Sequence, residues 1–385
     1  MDFDLSPEQL AIRKLAKEFA DREIVPGARE RDREQRFPSD VLAKMAPLGF
    51  LGGPVPESYG GMGIDYISHA LITEEIGRAD SSVRTTLSVQ VSLVELTILN
   101  YGTEKQKHGW LPRLCRGEVI GCFGLTEPGH GSDAAGLATT ATRDADGWII
   151  NGRKTWISNG GVSQLALVFA RTDPRAPRAN GITAFLLSRE HHPYGSPRIH
   201  GKLGLRSSDT SELIFENVRV PDHMRLGEVG GGFQIAMAAL DAGRYSVAAG
   251  AVGVAQACLD ASIAYATQRK AFGKPIAGHQ LVQEMIADMS VETEAARLLV
   301  WRAGHLKNKG VPNTRETSIA KLYAAEVASR AADMAIQIHG GYGFSDEFPV
   351  ERYWRDARVN RLYEGTTQIQ KLIIGRYATG IDAFS

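Results

Sequence analysis

Hydrophobic spacing changes period twice along this 385-residue chain, and those changes limit its architecture more than any single motif does. Up to about residue 120 apolar residues recur at helical intervals. From Gly121 to about Gly227 they mostly alternate, among β-branched and aromatic residues divided by turn signals. Beyond Gly230-Gly231-Gly232 the helical interval returns and holds to the end. Residues three or four apart share one face of a helix, and residues two apart share one face of a strand. The pattern therefore predicts a mainly α protein with a β domain: helical over 1–120, a compact β domain over 121–227, and a helical bundle over 228–385.

Local signals sharpen that outline. Ser6-Pro7-Glu8-Gln9 reads as a helix start, with Ser6 as N-cap, Pro7 in the first turn and Gln9 closing a capping box. Leu10, Ile12, Leu15 and Phe19 supply its apolar stripe, which ends near Pro26. Further helices are expected over 39–48, 66–99 and 104–116, with the glycine-rich run from Gly49 to Gly63 as loop. Strands are expected over 139–143, 148–150, 154–158, 164–171, 181–188 and 212–215. Asp146-Gly147 joins the first two, and Asn151-Gly152 reads as a tight hairpin turn before the third. The piece from Asp173 to Asn180, rich in proline and arginine, is an exposed loop. Long helices over 233–269, 279–307 and 314–337, with a shorter one over 366–377, make the bundle.

Composition excludes several classes. Lysine plus arginine and aspartate plus glutamate each total 44, so no net charge marks nucleic acid or an anionic membrane as the main partner. No uninterrupted apolar run reaches the roughly eighteen residues of a bilayer span. The amino terminus, Met1-Asp2-Phe3-Asp4, is acidic and leads directly into the capped helix, unlike a signal or transit peptide. Cys115, Cys122 and Cys258 lack metal-ligand spacing and leave an odd count, as in a reducing compartment. No metal is expected. The expected location is the cytoplasm, or the mitochondrial matrix after trimming.

Chemistry concentrates in a few segments. In Tyr363-Glu364-Gly365-Thr366-Thr367-Gln368 a carboxylate stands beside an aromatic ring at the mouth of a helix. Such a glutamate can meet a substrate while backbone N–H groups stay free, or it can simply complement the helix dipole. Leu125 to Asp133 joins glycines and hydroxyls in a loop suited to an anionic or heteroaromatic ligand, and alone also reads as an ordinary turn. It is not a GxGxxG after a strand, so a dinucleotide-type helix start is not indicated. Trp156 and Ser158 put an aromatic plate and a hydroxyl at a strand end, where the tryptophan alone reads as core.

Several stretches taken together resemble one family. They are CFGLTEPGHGSD (Cys122–Asp133), NGRKTWISNGG (Asn151–Gly161), LDAGRYSVAAGAVG (Leu240–Gly253), QRKAFGKPIAGHQ (Gln268–Gln280), QIHGGYG (Gln337–Gly343) and YEGTTQIQ (Tyr363–Gln370). In this order and at this length the chain is similar to the acyl-CoA dehydrogenases, flavoenzymes that desaturate the Cα–Cβ bond of acyl-CoA thioesters. The resemblance implies an N-terminal helical domain, a middle β-barrel and a C-terminal four-helix bundle. FAD would lie between the last two and reach across a subunit interface. Phe123, Leu125 and Thr126 would meet the isoalloxazine edge, Gly131 and Ser132 the pyrophosphate side, and Trp156, Ile157 and Ser158 the ring system. A neighbouring subunit would lend Arg269, Phe272 and Gln280, while Gln337, Gly340, Gly341, Thr366 and Gln368 would complete the pocket. Arginine suits pyrophosphate because it pairs bidentately, and glycines let backbone N–H groups come close.

The same resemblance implies that Glu364 is the catalytic base, held dry to raise its pKa. Its backbone N–H and a flavin ribityl hydroxyl would polarise the thioester carbonyl, and the β-hydride would leave to flavin N5. Some relatives carry the base in the LDxxR segment, where this chain has Gly243. Asp241 and Arg244 match positions that meet CoA, or else form an internal (i, i+3) pair. Phe233 and Met237 would line the acyl or pantetheine channel, and Ser132, Tyr363 and Gly365 would also touch substrate. An electron-transferring flavoprotein would accept electrons near Trp156. The shared FAD site implies a homo-oligomer, a dimer of dimers.

One segment bears on the acyl group. RADSSVRTTLSVQ (Arg78–Gln90) and the tail GRYATGIDAF (Gly375–Phe384) are close to glutaryl-CoA dehydrogenases, where an arginine in the place of Arg84 pairs with the distal carboxylate of the substrate. An unpaired buried guanidinium is costly, so an arginine facing the pocket implies an anionic partner. The alternatives are an Arg84 that points outward or pairs with a protein carboxylate. Gly77 stands where those relatives usually carry glutamate, which is expected to leave room for a bulkier or branched dicarboxylic acyl group and weakens the expectation of decarboxylation. The runs around Cys258 and Ala296–Arg302 equally resemble short-chain members, so a straight or branched short-chain acyl group, with Arg84 structural, is the second expectation. A flavin oxidase or hydroxylase and a non-catalytic acyl-CoA-binding subunit are the other readings, and the intact YEGT segment favours dehydrogenation over both.

Overall fold

Ser6 accepts from the Gln9 N–H, and the Gln9 side chain accepts from the Ser6 N–H, so the chain enters α1 (Pro7–Phe19) through the expected capping box. The structure, a computed structural model, describes residues 4–383. Met1, Asp2 and Phe3 of the acidic start, and Phe384 at the end of the glutaryl-like tail, lie outside the described residues. The helical path does not end at Pro26. It continues through a π turn (Ala20–Ile24) and a 3₁₀ turn (Val25–Gly27) into α2 (Ala28–Glu34), because Pro26 falls in the first turn of a new segment, where its missing N–H costs nothing. The buried face is Ala16, Phe19, Ala20 and Ile24, whereas Leu10 and Leu15 of the expected stripe are exposed.

After α3 (Ser39–Met45) and the glycine-rich loop come α4 (Tyr66–Ala79), α5 (Ser81–Ser88), α6 (Leu96–Tyr101) and α7 (Glu104–Cys115). The single helix expected over 66–99 is broken at Asp80, whose backbone is extended and whose carboxylate accepts from the Ser82 N–H to start α5. Between α5 and α6 the helix widens into a π turn, Val89–Glu95, a distortion that recurs at functional sites.

The β domain contains β1 (Gly121–Gly124), β2 (Thr140–Asp144), β3 (Gly147–Ser158), β4 (Leu165–Arg171), β5 (Ile182–Ser188), β6 (Thr210–Pro221) and β7 (Arg225–Leu226). They form one seven-stranded sheet in the order β6-β3-β2-β4-β5-β7, with β1 parallel to β4. Asn151-Gly152 is not a hairpin turn. β3 runs straight through it, and the pairing with β6 slips by one residue between Ile150 and Gly152, which makes it a bulge. The extra residue lies on β6, where Glu216 and Asn217 stand against Asn151 and Asn217 takes left-handed backbone (φ 51). Asn151 exchanges hydrogen bonds with Asn217, and Gly152 stays bare because a Cβ there would overlap Thr139. The true hairpin is the one at Asp144–Gly147.

The bundle is built on α8 (Gly232–Gln268), followed by the small hairpin β8 (Lys270–Ala271) and β9 (Lys274–Pro275), then α9 (Gln280–Asn308), α10 (Thr314–His339), α11 (Val350–Ala357) and α12 (Thr367–Thr379). α8 packs on α9 and α10, on α4 of the N-terminal helices and on β5. By length and composition α8 could cross a membrane, but 72% of its most apolar window is buried inside the protein, as suits a shared core helix. Its approach to α4 is close: a Cβ on Gly77 would lie 2.8 Å from the Gly250 carbonyl oxygen, and one on Gly253 would overlap the Glu74 carbonyl.

Candidate active site

Glu364 lies in the bend before α12, and both it (φ 53) and Gly365 (φ 89) take left-handed backbone. For a glutamate that conformation costs on the order of 1–3 kcal/mol, and it persists only where the surroundings over-determine it. Here they do. Arg244 Nε (3.1 Å) and Gln370 Nε2 (3.2 Å) donate to the Glu364 carbonyl. Lys321 Nζ (2.6 Å) and Gln370 Nε2 (3.1 Å) donate to that of Gly365, and Thr366 caps α12 by accepting from the Ile369 N–H. Both carbonyls are thus tied to bundle side chains, while the N–H groups of Glu364 and Gly365 donate to no protein acceptor among the described residues.

The residue is half-buried, with Oε2 of its carboxylate out of solvent. Its Oε2 has no hydrogen-bond partner and occupies the space a Cβ on Gly243 would need. Burial pushes its pKa up to about 7, against the pull of Arg84, Lys321 and Arg244. Among the described residues none of these cations comes within ion-pair distance of it.

A cavity of about 110 Å³ opens in front of it, walled by Phe123, Leu125, Thr126, Trp156, Ile157 and Ser158 from the β domain, by Arg84 from α5 and by Tyr363 and Glu364 from the bend before α12. These expected residues are brought together. Thr85, Ser88, Val89, Leu93 and Leu240 complete the lining and were not foreseen, although the apolar spacing of Val89 and Leu93 on one helical face was a usable signal. Trp156 is not core: it is 62% exposed, with φ 59. The β3–β6 pairing slips between Lys154 and Ile157, and this bulge turns the indole out beside the cavity. Behind it, buried Lys154 donates to the Leu125 carbonyl (3.1 Å) and pairs with Glu127 (2.8 Å), which also accepts from the Ala138 and Thr139 N–H groups.

Arg84 neither points outward nor pairs with a protein carboxylate among the described residues. It is buried, with Nη2 donating to the Tyr363 hydroxyl (2.5 Å), Nη1 to Ser88 Oγ (3.4 Å), and Nε without a partner. Gly77 does not stand where the expected extra room requires it. It faces the backbone of Gly250 rather than the cavity, so the absence of a glutamate there leaves no extra room for an acyl group.

Asp241 and Arg244 do form the internal pair (2.8 Å). Asp241 also accepts from Thr314 Oγ1, and Arg244 serves the Glu364 carbonyl. Phe233 and Met237 pack partly buried against the β-domain core, two turns and one turn before Leu240 respectively. Arg269, Gly340 and Gly341 line a second cavity of about 640 Å³ at another face of the bundle, with Tyr342 and His339. Phe272 is 96% exposed, and Gln280, Gln337 and Gln368 are exposed too. A Cβ on Gly129, Gly131, Gly340 or Gly341 would meet nothing within 4 Å, and the Gly131 and Ser132 N–H groups have no protein acceptor among the described residues. Apolar and aromatic walls for a flat ring, with open glycines and free donors for an anionic linker, fit FAD. No cluster of metal-ligating side chains occurs among the described residues.

A half-buried carboxylate thus faces an aromatic-walled cleft between the β domain and the bundle, a setting that suits a flat ring beside a group able to exchange a proton. Sequence comparison gives the family. The acyl-CoA dehydrogenase N-terminal, middle and C-terminal domain models match residues 6–118, 122–218 and 230–379. The mitochondrial short-chain specific acyl-CoA dehydrogenase of Mus musculus is 45% identical over 94% of this chain and 88% of its own length. Butyryl-CoA dehydrogenase from Megasphaera elsdenii superposes with a TM-score of 0.96 at 41% identity, covering 98% of this chain and 100% of that one. A glutaryl-CoA dehydrogenase in complex with glutaryl-CoA superposes with a TM-score of 0.95 at 40% identity, covering 99% and 97%. The chain belongs to the acyl-CoA dehydrogenases, FAD-dependent oxidoreductases acting on the CH–CH bond of acyl-CoA.

Proposed function

We propose that the chain dehydrogenates a short acyl-CoA bearing a distal carboxylate, of the glutaryl or substituted succinyl type, with Glu364 as the base and Arg84 as the carboxylate partner. The observation that carries this reading is the pairing, in one cavity, of a carboxylate whose buried oxygen lacks a hydrogen-bond partner with a buried guanidinium lacking a counter-ion. The acyl α-proton passes to a Glu364 oxygen. The thioester oxygen gains electron density and is met by the free Glu364 N–H, an oxyanion-type contact. Bound FAD supplies the acceptor for the β-hydride, so the two C–H bonds broken become one C=C bond in a 2-enoyl-CoA. Leu93, Val89 and Leu240 keep water from the carboxylate. Division into three domains near residues 120 and 227, assembly as a homotetramer, and an electron-transferring flavoprotein as acceptor belong to the same proposal.

A second reading is a straight or branched short-chain acyl-CoA with Arg84 structural. The hydrogen bonds from Arg84 to Tyr363 and Ser88 favour it. Anaerobic flavin bleaching with glutaryl-, methylsuccinyl-, benzylsuccinyl-, butyryl-, isobutyryl- and octanoyl-CoA separates the two. Bleaching by the dicarboxylic thioesters is the expected result, with CO₂ analysis of the product to follow. Fastest bleaching by butyryl-CoA would make Arg84 structural.

A further inference from the structure

Lys321 lies in mid-α10, fully buried among the small residues Ala320, Ala324 and Ala325. An ammonium taken out of water is costly unless it is paired, yet among the described residues Lys321 has no ion pair. Its hydrogen bond goes to the Gly365 carbonyl, at 2.6 Å. The charged groups facing it are Glu364, Arg244 and Glu326. Arg244 is offset by Asp241, and Glu326 by Arg361. That leaves Lys321 facing Glu364 across the strained bend. Burial lowers its pKa to about 8, with Glu364 opposing the shift.

We propose that Lys321 is a positioning residue for the dehydrogenation, clamping the Gly365 carbonyl so that the Glu364 N–H stays turned to the cavity and supplying a fixed positive charge to the base. The inference rests on Glu364 being the base. Before proton transfer the negative charge sits on the Glu364 carboxylate, and afterwards it develops on the thioester oxygen. A cation fixed beside the bend balances both arrangements, so the transfer leaves no newly unpaired charge in a dry site. Arg84 also faces Glu364, but it is engaged by Tyr363 and, in the proposed complex, by the substrate.

The test is the pH profile of flavin bleaching in holoenzyme carrying Lys321→Met (no donor, no charge), Lys321→Gln (donor only) or Lys321→Arg (both), with Glu364→Gln beside them. Acyl-CoA binding by calorimetry and thermal melting serve as readouts independent of turnover. In Lys321→Met the bleaching rate should fall roughly ten- to a hundredfold with binding affinity little changed, less than the loss of a donor that touches the oxyanion directly. Loss of the cation should raise the Glu364 pKa, so the acidic limb should move to higher pH in the Met and Gln variants and stay in place in the Arg variant. Unchanged limbs and rates in all three, or loss of folding or of FAD in all three, would overturn the proposal. Wild-type bleaching by Glu364→Gln would instead remove the base assignment on which it rests.

Discussion

The Glu364 carboxylate occupies the space that a side chain at position 243 would need: a Cβ on Gly243 would overlap its Oε2. The two positions therefore serve one space from two directions, one from the bend before α12 and the other from α8. Glu364→Gln should retain FAD and bind acyl-CoA but fail to bleach the flavin, and Gly243→Ala should impair bleaching by displacing the carboxylate. The informative variant is Gly243→Glu combined with Glu364→Gly, which should recover part of the bleaching lost in Glu364→Gln. Full activity in Glu364→Gln would defeat the assignment.

If Glu364 is the proposed base, burial sets the pH at which it works. A base must be ionised to accept the α-proton, and burial raises Glu364 to about 7. Bleaching of the free enzyme by limiting substrate should therefore be slow below that value and rise through it, where an exposed glutamate would already be fully ionised near pH 6. Stopped-flow kcat/KM profiles check this. A limb near the ordinary glutamate value would mean that solvent reaches the carboxylate.

What was legible in the sequence depended on how local the signal was. The division into helix, sheet and helix is written in repeated side-chain spacing, and the Ser6 cap is a contact between residues three apart. Asn151-Gly152 reads locally as a turn, and the extra residue that makes a bulge there lies on β6 at Asn217, so only the pairing across the sheet reveals it. Trp156 looked like core because nothing local announces the slip of register that turns it out. Lys321 was invisible, since a lysine in a helical run ordinarily reads as a solvated face. Arg84 and Glu364 could be named from the family likeness, but the missing partners of both were visible only once the cavity had walls.

The loop that carries Leu125 and Thr126 depends on a buried ion pair. Lys154 and Glu127 are both out of solvent, 2.8 Å apart, and burial lowers Lys154 to about 8 against the pull of Glu127. Removing one partner of such a pair typically costs about 3–5 kcal/mol because the other charge is left uncompensated. Lys154→Met should lower stability by that order, measured by denaturant unfolding, and weaken FAD retention on gel filtration. A variant as stable as the parent would show that the carboxylate finds other donors.

Arg84 reaches the cavity by passing over Gly250, where an added Cβ would lie 2.5 Å from its Cδ and Nε. Two substitutions therefore probe one guanidinium. Arg84→Ala should lower kcat/KM on a dicarboxylic thioester by roughly 2–5 kcal/mol, as when one partner of a buried charge pair is lost, and lower butyryl-CoA turnover far less. Gly250→Ala should produce a smaller loss of the same selectivity by pushing the side chain off its path, and adding it to Arg84→Ala should cost little more on that substrate. A Cβ on Gly253 would meet the Glu74 and Arg78 backbone of α4, so Gly253→Ala is the control for disturbing the α4–α8 crossing away from Arg84. Equal losses on dicarboxylic and butyryl thioesters in Arg84→Ala would mean that the arginine supports Tyr363 rather than the substrate.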